Sequence, residues 1–264
     1  MKTNRSRSRA GLAAFTLVEV MISMTIVVMV LGLSMSTFLF GLRTMYKDTQ
    51  RLATNASLRS FMAQISKETL DASYFYLFPY YTALDGSVDL SADYAPLSFV
   101  DAADDDYDKW VAHGDCLVLV TRTSLYRTTD LRQIRIYYRL TTNQSTANQE
   151  ASLRYYETAD WGEGTSAASN GHTDVTTELN KINLKTYPTI TGSKQLNARC
   201  KGRAVPSPYT PYSAGDLFPI FSSESPTASS TNGFISINVE FINGSTINNL
   251  LSSSSFNYTI SPRR

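Results

Sequence analysis

The chain has 264 residues, of which 42% are apolar, 18% charged and 11% aromatic. That is enough apolar material for a packed core, which excludes wholesale disorder, and the length fits one or two domains. The formal net charge is +1, but Lys2, Arg5, Arg7 and Arg9 precede the first apolar run; without them the remainder stands at about −3, which gives no global attraction toward nucleic acid.

In chain order, residues 1–14 form a short basic stretch of small residues, and residues 15–42 are apolar with one charge, Glu19. From Val20 to Leu42 there is none. As a helix this uncharged run measures roughly 35 Å at ~1.5 Å per residue, enough to cross a hydrocarbon core of ~30 Å with some tilt. Basic residues ahead of it place the N-terminus in the cytoplasm. Residues 43–73 lack proline and glycine. Leu58, Phe61, Met62 and Ile65 fall on one helical face, which Thr69 and Ala72 extend, while Arg51, Arg59, Lys67 and Glu68 lie largely off it. The pattern predicts one helix from about Phe15 to about Ala72, apolar all round at first and amphipathic later.

Beyond Pro79 the pattern changes to strands and loops. Strands are predicted at 116–121 (CLVLVT), 133–140 (QIRIYYRL), 153–157 (LRYYE), 234–242 (FISINVEFI) and 256–261 (FNYTIS). In 133–140, Ile134, Ile136, Tyr138 and Leu140 alternate with Arg135 and Arg139, as in a half-buried antiparallel strand. Polar stretches at 158–177, 204–215 and 222–233 are predicted loops. The expected architecture is therefore α+β: a long N-terminal helix, transmembrane and then amphipathic, packed on an antiparallel sheet, with residues 74–264 forming an extracytoplasmic β-rich domain.

The string Ala13-Ala14-Phe15-Thr16-Leu17-Val18-Glu19-Val20, with its basic leader and long apolar sequel, resembles the class III signal of type IV pilins and type II secretion pseudopilins. The resemblance implies cleavage by prepilin peptidase between Ala14 and Phe15 and N-methylation of Phe15. Glu19 then becomes the fifth residue of the mature chain. Such signals usually carry glycine before the cut, where this chain has Ala14. Major pilins also tend to have a proline in the apolar helix, where this chain has only Gly32 as a weak point. A secretory signal peptide would have a shorter apolar core and a small-x-small site after it. A plain anchor would leave Glu19 without a role, although an ionisable group in an apolar helix is costly. In a bundle of such helices, Glu19 lies about 6 Å along the helix from the Phe15 amine, so one chain's carboxylate can meet a neighbour's ammonium. The alternative for Glu19 is a carboxylate held at headgroup level.

The length, and the block around CLVLVTRTSLYRTTDLRQIRIYYRL followed by LRYYE, is similar to the J-type minor pseudopilin and the W-type minor pilin. The implied function is a structural subunit that initiates or caps a type II secretion pseudopilus or type IV pilus. Its partners would be other subunits, prepilin peptidase, the inner-membrane assembly platform and the membrane itself. The implied location is the cytoplasmic membrane, crossed once, with the globular domain periplasmic or in an extracellular filament. The alternative function is a pilus-tip binding module, an adhesin or a DNA-uptake pilin.

Other candidates are weaker. Asp101, Asp104, Asp105, Asp106, Asp108 and Asp115 crowd one segment, either a solvated acidic loop or a calcium site centred on Asp104, Asp106 and Asp108; no other cofactor is implied. Cys116 and Cys200, the only cysteines, either form one disulfide in an oxidising compartment or remain a buried and an exposed thiol. Arg122, Arg127, Arg132, Arg135 and Arg139, with Tyr126, Tyr137 and Tyr138 among them, and separately Arg199, Lys201 and Arg203, form basic stretches: exposed strand faces, or a nucleic-acid surface. His113 and His172 form no HExxH, and the chain has neither a G-x-S-x-G elbow nor a phosphate-cradling loop. An enzyme is not expected.

Overall fold

The computed structural model describes residues 16–78, 80–81, 100–101, 110–123, 130–140, 150–162, 169–182, 189–202, 219–225, 234–243 and 252–261. The chain divides into two units, Met1–Asp48 and Thr49–Arg264, and one continuous helix, α1 (Leu17–Asp71), runs from the first into the second.

In the first unit α1 presents apolar side chains on every side: Leu17, Met29, Leu33 and Phe40 are all more than 70% exposed. It is the one described helix long and apolar enough to cross a membrane, with a mean hydropathy of 2.3. Several of its hydroxyls bond back to the helix backbone. Ser23 donates to the Glu19 carbonyl at 2.8 Å, Thr25 to Met21 and Thr37 to Leu33 at 3.0 Å, and Thr44 to Phe40 at 3.1 Å. Such back-bonding gives these four hydroxyls a partner that hydrocarbon could not supply.

In the second unit the predicted stripe is the buried one: Leu58, Phe61, Met62, Ile65, Thr69 and Ala72 pack down, and Thr54, which the stripe did not include, is buried with them. Beneath them lies a ten-stranded antiparallel sheet. Its strands are β1 (Tyr74–Phe78), β2 (Val100–Asp101), β3 (Trp110–Gly114), β4 (Cys116–Arg122), β5 (Leu131–Arg139), β6 (Ala151–Glu157), β7 (Lys194–Gly202), β8 (Phe221–Ser225), β9 (Phe234–Asn243) and β10 (Ser252–Ile260). The order is β1-β4-β5-β6-β7-β9-β8-β3-β2. One edge of β9 is shared, pairing β8 through Phe234–Ile237 and β7 through Val239–Phe241, while β10 pairs β9 along its whole length. At the far end β1 approaches β3 and β8, so the sheet curls on itself.

Both faces of the sheet are covered. Period-2 alternation sends Phe75, Leu77, Leu117, Leu119, Tyr137, Leu153, Tyr155, Phe221 and alternate residues of β9 toward α1. Phe78, Cys116, Val118, Val120, Ile134, Ile136 and Tyr138 go to the opposite face, under the short helix α2 (Val175–Lys181), whose Val175 and Leu179 pack there beside Tyr81 and Ile190. Two-sided burial explains why CLVLV is an unbroken apolar run. It also corrects the half-buried reading of β5. Its arginine face is the one turned toward α1, Arg139 is fully buried, and Tyr137 and Tyr138 are buried on opposite faces.

Two predicted loops contain regular structure. Within 158–177, α2 begins at Val175, because the Asp174 side chain caps the backbone amides of Thr176 and Thr177. Within 222–233, residues 222–225 belong to β8, whose polar sequence FSSES is held by pairing to both β3 and β9. The predicted loop at 204–215 lies outside the described residues.

The disulfide expectation is overturned: Cys116 and Cys200 are both free and both fully buried. Cys116 in β4 packs beneath α2 and Cys200 in β7 beneath α1, with β5 and β6 between them. Three strand spacings, roughly 14 Å, far exceed the ~4.4–6.8 Å between Cα atoms that a disulfide bridges. Burial pushes both thiols up, Cys116 well above its ordinary value. The expected result is that neither thiol reacts with maleimide in the native protein and both react after denaturation without reductant. A denatured, unreduced chain with no reactive thiol would contradict the free thiols shown here.

Candidate functional site

Glu19 is the only charged residue between Thr16 and Leu42, and the sequence around it dictates its setting. Thr16-Leu17-Val18-Glu19 has the spacing of a capping box. The Glu19 Oε2 atom accepts from the Thr16 backbone N–H at 3.0 Å and from its hydroxyl at 3.1 Å, and the Glu19 N–H donates back to Thr16 Oγ1 at 3.3 Å. The carboxylate is thereby fixed at the helix N-terminus, where the macrodipole also favours a negative charge. The resemblance pointed to Glu19 but not to Thr16, although the T-x-x-E spacing is readable in the sequence. Ala14 and Phe15, the residues of the expected cleavage, lie outside the described residues.

In the second unit, Glu68 near the end of α1 fixes the helix to the sheet. Its carboxylate accepts from the Tyr137 hydroxyl at 2.7 Å, the Tyr155 hydroxyl at 3.0 Å and the Gln64 amide at 3.1 Å, with Arg135 at 3.9 Å. Burial, then the neighbouring carboxylates, pushes both tyrosine hydroxyls up, so they remain protonated donors. At the helix's other docked end Asn243 of β9 donates to Thr54 Oγ1 at 2.8 Å. The sequence pattern placed Glu68 largely off the buried stripe and missed this role. A carboxylate aimed at tyrosines across the sheet has no local signature.

The basic stretch around β5 is not a basic face. Arg139 pairs with Asp115 at 2.6 Å, fully buried. Arg135 faces Glu68, and Arg132 pairs with Asp160 at 3.1 Å. Arg122 donates to the Tyr74 hydroxyl at 3.2 Å and lies over its ring. Arg199 bonds Glu150, and Lys201 lies 3.3 Å from Glu240. Arg127 and Arg203 lie outside the described residues, as does Tyr126. The alternation of cationic and aromatic residues that suggested a nucleic-acid surface is resolved into intrachain pairs wherever it is described.

The acidic segment also changes character. Asp115 is no part of a cation site: it is 3% exposed and committed to Arg139 and to the Ile220 N–H at 3.2 Å. Asp104, Asp106 and Asp108, the candidate calcium ligands, lie outside the described residues, as does Asp105. Among the described residues no group of three metal-ligating side chains comes together. His113 lies in β3 opposite Ser222. His172 stacks on Trp161 with ring centroids 4.0 Å apart, and its Nδ1 lies 3.0 Å from Glu178 Oε1. Burial pushes the Glu178 carboxyl up, but Lys181 at 2.7 Å and His172 outweigh it and hold the group below its ordinary value. This cluster tacks α2 to the adjoining loop. An open groove beside α1, lined by Ala56, Ser57, Ser60, Phe61, Gln64 and Leu196, contains no titratable group.

The chain matches no family model, no curated protein and no solved structure.

Proposed function

We propose that this chain is a prepilin-type subunit, a minor pseudopilin or minor pilin. It is held in the cytoplasmic membrane by the first half of α1, with its β-rich domain on the far side. It helps to initiate or cap a filament built with other subunits of the same kind on an inner-membrane platform. The observation that carries the reading is a carboxylate fixed at the very start of a helix whose following run, Val20 to Leu42, is uncharged and apolar on every side. Such a helix is compatible with lipid or with a bundle of its own kind. Both intrachain contacts of the Glu19 carboxylate fall on Oε2, so Oε1 remains available to a neighbour's terminal ammonium.

Glu19→Gln separates anchoring from assembly. Insertion depends on the uncharged run that follows and is expected to be unchanged. Losing one partner of a buried ion pair costs about 3–5 kcal/mol, less near the headgroups. Crosslinked recovery of other prepilin-type subunits is therefore expected to fall at least about tenfold, the equivalent of ~1.4 kcal/mol, at an unchanged membrane level. Wild-type recovery would remove the pairing role.

A further inference from the structure

We propose that Arg43 and Lys47 form a headgroup clasp that recruits anionic phospholipids to the leaflet where the apolar run of α1 ends, an inference that rests on the membrane reading above. The uncharged run from Val20 to Leu42 measures roughly 35 Å at ~1.5 Å per residue, against a hydrocarbon core of ~30 Å. Arg43 is the first charged residue after it, and Lys47 follows one turn later. The headgroup zone is roughly 5–7 Å deep on each side of the core, and Lys47 stands about 6 Å beyond Arg43 along the helix. Both cations therefore fall within that zone. Tyr46, 55% exposed, falls there too, where an amphipathic ring is favoured.

Neither cation is used within the chain. Among the described residues no carboxylate pairs with Arg43 or Lys47, whereas Arg132, Arg139, Lys194 and Arg199 of the β-rich unit each face one. Arg43 is exposed and Lys47 partly so. Asp48 is the one acid between Glu19 and Glu68, and it is turned about 100° from Lys47 around the helix. Arg51, the next cation, belongs to the second unit.

The helix itself aims the pair at lipid. Four-residue spacing puts Arg43 and Lys47 on one side of α1. Every Cα–Cβ bond of a helix leans toward its N-terminus, which here is the direction of the apolar run, so both side chains slope back toward the bilayer. Their aliphatic stems lie along the helix while the guanidinium and ammonium reach phosphate oxygens. Arginine's planar fork grips a phosphodiester through two N–H donors, and lysine adds a point charge. A zwitterionic headgroup offers the same phosphate but brings its own cation, so a lipid of net negative charge gains more. The gain is about fivefold for each cation held at an anionic surface.

The test places a photo-crosslinking residue, p-benzoylphenylalanine, at Tyr46 of the full-length chain in nanodiscs of equimolar phosphatidylglycerol and phosphatidylcholine. Lipid adducts are counted by mass spectrometry. At low salt, phosphatidylglycerol adducts are expected to exceed phosphatidylcholine adducts at least about fivefold. Arg43→Gln combined with Lys47→Gln is expected to bring the ratio close to parity. Arg43→Lys combined with Lys47→Arg is expected to keep it, and Asp48→Asn to raise it. An even ratio in the wild type, or an unchanged ratio in the glutamine variant, would overturn the proposal. Loss of the preference with inorganic phosphate, but not with chloride at matched ionic strength, would assign the cations to free phosphate and also overturn it. The same probe at Val30 separates the two readings. Adducts at Val30 but not at Tyr46 overturn the headgroup contact alone, whereas adducts at neither position overturn the membrane reading with it.

Discussion

Replacing Arg139 with alanine is expected to destabilise the β-rich unit by about 3–5 kcal/mol. Arg139 is fully buried, donates to Asp115 Oδ2 through Nη2 at 2.6 Å and Nε at 3.1 Å, and its backbone N–H reaches the Asp115 carbonyl at 2.9 Å. Asp115 in turn accepts from the Ile220 N–H, so a single carboxylate joins the β3–β4 turn, β5 and the start of β8. Alanine leaves that carboxylate desolvated beside the apolar core. The intact pair need not be strongly stabilising in itself, because taking two charges out of water offsets much of their attraction. The double variant Arg139→Met with Asp115→Asn is therefore expected to be markedly more stable than Arg139→Ala alone, since asparagine still accepts from Ile220. Urea denaturation of the detergent-solubilised protein, followed by tryptophan fluorescence, measures both. A loss below about 1 kcal/mol for Arg139→Ala would contradict the buried pair.

Phe61→Ala is expected to cost a similar amount, about 3–5 kcal/mol for a large buried aromatic. Phe61 is 3% exposed, meets Tyr137 edge-on at 5.9 Å and lies 5.6 Å from Phe241. It thus joins α1 to both β5 and β9. The loss should appear first as faster hydrogen exchange across the docked part of α1, before the sheet opens. Leu52→Ala, at a position 70% exposed on the same helix, is expected to change stability by no more than about 0.5 kcal/mol. Equal effects of the two substitutions would mean that the docked face of α1 is misassigned.

The stripe from Leu58 to Ile65 and β9 were readable because each carries its burial in its own periodicity, β4 because it is an unbroken apolar run, β5 and β6 as strands from their β-branched and aromatic residues, and β10 only from Phe256 onward. β1 was not. Its aromatic run YFYLF follows α1 with only Ala72 and Ser73 between, and no turn residues mark the change. β7 is absent from the predicted strands because KQLNARCKG has only Leu196, Ala198 and Cys200 as apolar positions; pairing with β6 and β9 holds it as a strand. The arginines of β5 carried the right alternation but the wrong face, since nothing local reveals that Glu68 and Asp115 wait for them. The candidate site divides the same way: Glu19 and its Thr16 cap lie within one helical turn of sequence, whereas Arg139–Asp115 and Tyr137–Glu68 are brought together by the folded sheet.

The measurement that bears most directly on the prepilin reading is the intact mass of the protein extracted from membranes of a host that has a prepilin peptidase. The account predicts a chain that begins at Phe15 and is heavier by one methyl group on its terminal amine. A chain that retains Met1, or one that begins beyond the apolar run, would contradict it.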